Sequence, residues 1–147
     1  MNRVLVAAVS LGATLAGTSV QADAGRLPIS VVPTAYDLTI DPDASNLSFT
    51  GAGTVAITVR APIRTITLNA ADLGIRDVKI DGRIPATVTL DQAAQTATFT
   101  FGEPVSAGKH TLSMAWTGKI HQSATGLFAI DYTNIDGSKD RMLATQF

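Results

Sequence analysis

His110 and His121 are the first residues to weigh for chemistry, because an imidazole can ligate a metal or move a proton near neutral pH. The 147-residue chain contains only these two histidines. A zinc-binding H-E-x-x-H pair puts its histidines four residues apart on one helical face, and the spacing here is far wider. Both are therefore expected at the surface or at strand ends. The absence of cysteine removes disulfides, a thiolate nucleophile and a cysteine zinc site together. No serine sits in a G-x-S-x-G elbow, and no glycine-rich loop opens a helix to cradle phosphate. The stretch Tyr132-Thr133-Asn134-Ile135-Asp136-Gly137 half-matches a calcium loop. It has tyrosine at the first ligand position and Leu143 where a bidentate glutamate belongs, so it is predicted to be a turn. Asp41-Pro42-Asp43 brings two carboxylates together, but proline between aspartates is turn chemistry. On its own residues the chain offers no catalytic pair and no metal site.

The elements that would position any such residue follow from composition and period. With 46% hydrophobic residues and 16% charge the chain can bury one ordinary core. Its 11 Lys plus Arg and 12 Asp plus Glu give a formal net charge of -1. The charges are scattered, so nothing forms the basic stripe that tracks a phosphate backbone, and nucleic acid is not expected as a partner.

At the N-terminus Arg3 precedes an apolar run from Val4 to Ala16 and a small-residue tail. The run is about 13 residues, short of the roughly 18 that argue for a spanning helix. Val20-Gln21-Ala22 and Ala22-Asp23-Ala24 both present small residues at signal-peptidase positions. Residues 1–24 are accordingly expected to be a signal peptide. The mature protein, 25–147, is expected to be exported, periplasmic or secreted, with no membrane span after cleavage.

Beyond the leader the hydrophobic period is two. Tyr36, Leu38 and Ile40 alternate with polar residues, and a second run carries Leu47, Phe49, Gly51, Gly53, Val55, Ile57 and Val59 on one face. Ile66 and Leu68, Val78 and Ile80, Val88 and Leu90, then Ala97, Phe99 and Phe101, and Leu112, Met114 and Trp116 continue it. Turns are expected at Asp41-Pro42-Asp43, Asp81-Gly82, Gly102-Glu103-Pro104 and Ala107-Gly108. The pattern predicts an all-β fold of half-buried antiparallel strands, a sandwich or open sheet, with Trp116 in the core. Gly126 to Tyr132 and Arg141 to Phe147 read as a final hairpin turning at Asn134-Ile135-Asp136-Gly137.

The order of these strings is more specific than any one of them. Leu27-Pro28, Val32-Pro33-Thr34-Ala35-Tyr36-Asp37-Leu38, Phe49-Thr50-Gly51 and Ile66-Thr67-Leu68-Asn69-Ala70 come first. Gln95-Thr96-Ala97-Thr98-Phe99, Trp116-Thr117-Gly118-Lys119-Ile120, Gly126-Leu127-Phe128 and Met142-Leu143-Ala144-Thr145-Gln146-Phe147 follow. The series resembles the N-terminal β domain of the M1 family of zinc aminopeptidases over essentially all of the chain after the leader.

That resemblance implies a saddle-like, antiparallel β domain belonging to an exopeptidase that removes N-terminal residues from peptides. It also implies zinc as the cofactor of the full-length enzyme and peptides as its substrates. Among the family's functional residues only the glutamine that lines the pocket for the substrate's N-terminal residue has a counterpart, Gln146. The G-x-M-E-N loop, the H-E-x-x-H helix and the transition-state tyrosine have none. The chain is therefore expected to be a fragment ending before the catalytic domain, and inactive alone. The alternative is a stand-alone secreted β-sandwich binding module, which should end in a turn or polar tail rather than on apolar Met142, Leu143 and Phe147 at an unpaired edge.

Overall fold

Alternation of period two, rich in threonine and valine, yields strands throughout the computed structural model, which describes residues 27–146. The expected leader, 1–24, lies outside the described residues, as does Phe147. The strands are β1 (Val31–Asp43), β2 (Ser48–Val59), β3 (Ile63–Asn69), β4 (Gly74–Ile80), β5 (Ile84–Asp91), β6 (Thr96–Val105), β7 (Gly108–Lys119), β8 (Gly126–Thr133) and β9 (Lys139–Gln146). Every strand pairing is antiparallel. The expected all-β class is what is observed.

Seven strands form one curled sheet in the order β1-β2-β7-β4-β5-β6-β3, and β8 and β9 form a separate two-stranded sheet. The large sheet doubles over at the β4–β5 hairpin. Asp81 and Gly82 both take positive φ, 52° and 67°, the two left-handed positions of a type I′ turn that Asp-Gly favours. The ladder between β4 and β5 spans only Lys79↔Pro85 and Ile80↔Ile84. On its other side β4 pairs with β7, and β5 pairs with β6.

Folding the sheet on itself creates the core. Val55, Ile57 and Val59 of β2, Val78 and Ile80 of β4, and Leu112 of β7 cluster with Ile66 of β3 and with Ala97, Phe99, Phe101 and Val105 of β6. Burying each large aliphatic or aromatic side chain among them contributes about 1.5–3 kcal/mol. Trp116 is buried as expected, its indole lying across Gly51, where a Cβ would run into the ring.

Three expectations need correction. Asp41-Pro42-Asp43 is not a turn: it completes β1, with Pro42 opposite Phe49, and the chain turns at Ala44–Leu47 instead. β1 is an edge strand, where a residue without an N–H is tolerated. Gly102-Glu103-Pro104 likewise stays inside β6. There Ile63 to Thr65 of β3 opposes Val105 to Thr100, so the punctuating residues are absorbed by a bulge, and the turn falls at Ser106-Ala107. Finally, β1 is not half-buried. Tyr36, Leu38 and Ile40 alternate as expected but are 64%, 48% and 52% exposed, because β1 and β3 are the two free ends of the sheet. Leu90, grouped with the buried positions by the same alternation, is also exposed.

Candidate functional site

Gln146 is the last described residue of β9, exposed and opposite Gly126 of β8. What places it is the attachment of the β8–β9 hairpin to the rest of the domain. Gly126 enters the hairpin with φ 63°, a conformation glycine adopts without penalty. Phe128 and Ala129 are buried beside Ile120. The backbone of His121 donates to Leu127 O (3.1 Å) and accepts from Ala129 N (2.7 Å), forming a short parallel bridge with Phe128. One residue earlier, Ile120 N donates to Leu47 O at 2.8 Å, in the β1–β2 turn.

A second fastening lies farther along the hairpin. Arg141 of β9 donates from Nε and from Nη2 (2.9 Å) to the Asp131 carboxylate directly opposite on β8, and from Nη1 to the carbonyl of Ala44 at 2.7 Å, 97 residues away. The guanidinium hydrogen bonds, reinforced by its charge, hold the Asp131 carboxyl below the usual carboxylate range, and Asp131 in turn raises Arg141. Asp131 to Thr133 and Lys139 to Arg141 line an open depression of about 600 Å³ on the hairpin. Within it Tyr132 donates to Asp140 at 3.2 Å.

The histidines go to different places. His121 is exposed at the base of the hairpin. His110 lies near the start of β7, a strand end as expected; its Nδ1 is 2.8 Å from Asp81 Oδ2, and Ser106 Oγ is 3.5 Å from Nε2. The trio has the residue types of a hydrolytic triad but not its hydrogen-bond geometry. Nε2 sits 3.0 Å from the Ser106 carbonyl, which can only accept. A general base needs a free lone pair aimed at the hydroxyl, and here the carbonyl is the nearer partner of that nitrogen, at 3.0 Å against 3.5 Å. The group instead ties the β4–β5 turn to the β6–β7 turn. Thr111 N also donates to Asp81 Oδ1 at 2.9 Å. The His110 hydrogen bond foremost, with that from Thr111, lowers the Asp81 pKa.

Zinc does not fit these residues. His110 and Asp81 are the nearest approach to a ligand set, their facing atoms are spent on each other, and His121 is elsewhere. Among the described residues no three His, Asp or Glu side chains are placed to share a metal ion. No helix among them is long and apolar enough to cross a membrane.

A further concavity is apolar. Between the free edges β1 and β3 runs a groove of about 400 Å³, lined by Val31, Val32, Pro33 and Tyr36 from one edge and Ile63, Ile66 and Leu68 from the other. It continues past Tyr36 and Leu38 to Leu73, Ile75, Met114 and Trp116.

A curled seven-stranded antiparallel sheet followed by a separately paired C-terminal hairpin makes an all-β domain. Residues 32–147 match the family described as the Peptidase M1 N-terminal domain, and the chain belongs to that family. Among its relatives, aminopeptidase N of Acetobacter pasteurianus is 41% identical over 97% of this chain. Aminopeptidase 2 of Candida albicans is 34% identical over 82%, and aminopeptidase M1-B of Oryza sativa subsp. japonica 32% over 83%. The chain spans 41%, 13% and 14% of their respective lengths.

Sequence reasoning named Gln146 through the resemblance alone and missed what fastens its hairpin. The signal was present: Asp131 and Arg141 are opposite charges equally far from Asp136 in the turn, which is what a cross-strand pair requires. The His110–Asp81 contact had no local signal, because it depends on β4 and β7 being neighbours.

Proposed function

We propose that this chain is the non-catalytic N-terminal β domain, residues 25–147, of an exported, zinc-dependent M1 aminopeptidase that removes N-terminal residues from peptides. Residues 1–24 act as its signal peptide. The observation that carries the proposal is the family match across residues 32–147, supported by 41% identity to an aminopeptidase N over 97% of the chain. Zinc is held by residues outside this chain, since those described here do not fit it. In a complete enzyme, zinc held by residues outside this chain would supply Lewis-acid chemistry at a peptide carbonyl and at water. The part assigned to this domain is Gln146, whose side chain amide can both donate and accept at the pocket for the substrate's N-terminal residue.

The test is the intact mass of the endogenous protein in the exported fraction, set against the 15.3 kDa chain less its leader. A species several times larger that releases N-terminal residues only with metal present supports the reading. A species of the short mature mass overturns it, as does metal-dependent aminopeptidase activity of the purified 147-residue chain. The short mass would favour a second reading, a secreted β-sandwich binding module, which the exposed Tyr36, Leu38 and Ile40 along the β1 edge support.

A further inference from the structure

We propose that Arg141 is a positioning residue for Gln146, fixing the attitude of the β8–β9 hairpin by clasping it to the β1–β2 turn. The inference rests on the assignment of Gln146 to the substrate pocket. The hairpin has its own ladder and pairs with neither edge of the seven-stranded sheet. Its attachment at the base is the short bridge through the His121 backbone and the buried Phe128 and Ala129, all at the start of β8, so none of these holds the far part of the hairpin. Arg141 supplies the second point.

The guanidinium reaches two targets with one rigid plane. Nε and Nη2 hold Asp131 across the hairpin, and Nη1 holds the Ala44 carbonyl outside it. The receiving turn is itself fixed, because Asn46 donates from its backbone N (3.0 Å) and its Nδ2 (2.7 Å) to the Asp43 carboxylate. The same turn accepts Ile120 N at Leu47 O, so both fastenings of the hairpin end on it. The ladder is continuous from Asp131↔Arg141 to Gly126↔Gln146, and an attitude set at Arg141 is carried along it to Gln146. An exposed ion pair by itself would do little; the bond to a distant carbonyl is what gives this one its reach. Lysine, a single point donor, cannot hold both partners.

The test uses Arg141→Lys, Gln146→Ala and the double variant in the full-length aminopeptidase, with KM and kcat read separately. Arg141→Lys is expected to raise KM about three- to tenfold with kcat near unchanged, the scale of losing a charged hydrogen bond in part. Little further rise is expected in the Gln146→Ala background, because the two act through one group. If Gln146→Ala raises KM and Arg141→Lys does not, or if the two effects multiply independently, the positioning role is overturned while the pocket assignment stands. If Gln146→Ala leaves KM unaltered, the pocket assignment itself fails. Asp131→Asn, which keeps shape but loses the charge, should move KM in the same direction by less and replaces Arg141→Lys should that variant fold poorly. In the full-length aminopeptidase, Arg141→Lys should speed amide hydrogen exchange across the hairpin and leave Leu112 in β7 unchanged. Equal exchange in both proteins would overturn the clasp without any assay of turnover.

Discussion

Strands β6 and β1 carry the same alternating pattern and meet opposite fates. Ala97, Phe99 and Phe101 of β6 are 0%, 0% and 1% exposed, while Tyr36, Leu38 and Ile40 of β1 lie open. The difference is position in the sheet. β6 is flanked by β5 and β3 and covered by the doubled-over half containing β2, β4 and β7, whereas β1 has one neighbour and borders the groove. Alternation states which residues share a face, and says nothing of what lies on top of it.

The sharpest way to break this comparison is Phe99→Ala. If β6 is the covered strand, the cavity left should cost about 3–5 kcal/mol, read as a lower urea midpoint. A change as small as one on β1 would mean that the two halves do not pack as described. Gly51→Ala is expected next, at about 1–3 kcal/mol, because the added methyl meets the Trp116 ring and forces the packing to shift. A shifted tryptophan emission maximum would accompany it.

Acid unfolding adds a smaller, pH-limited effect. The folded Asp81 pKa lies below its ordinary 3.8. The stability this carboxylate contributes is therefore complete above 3.8 and is lost as pH falls through the folded value. Asp81→Asn should flatten the fall of the thermal midpoint below about pH 4, compared with the unaltered chain. Identical pH profiles would show that the His110 contact contributes nothing. The smallest effect belongs to β1, where Leu38→Ser should stay within about 0.5 kcal/mol. A larger loss in the 147-residue chain would show that the groove closes over Leu38.

Much of this was legible beforehand. Strand existence, the Asp81-Gly82 and Asn134–Gly137 turns and the buried faces of β2, β6 and β7 all follow from period and turn chemistry. The misassigned punctuation has a common cause. Pro42 and Gly102 to Pro104 are residues that break a central strand, and each occupies a place where a sheet tolerates breakage, an edge and a bulge. The exposure of β1 and the partner of His110 depend on strand order, which no window of sequence contains. Gln146 was reached only through the ordered resemblance, since a lone glutamine near the end of a strand carries no local mark of function.

The indole of Trp116 belongs to the only tryptophan in the chain. It rests on Gly51 and lines, with Tyr36, Leu38 and Met114, the channel beside the β1 edge. Its emission therefore reports from a single address, beside the uncovered part of the sheet. The domain has a built-in optical gauge for that channel: whatever seats there should change the colour or quenching of one fluorophore, with no label attached.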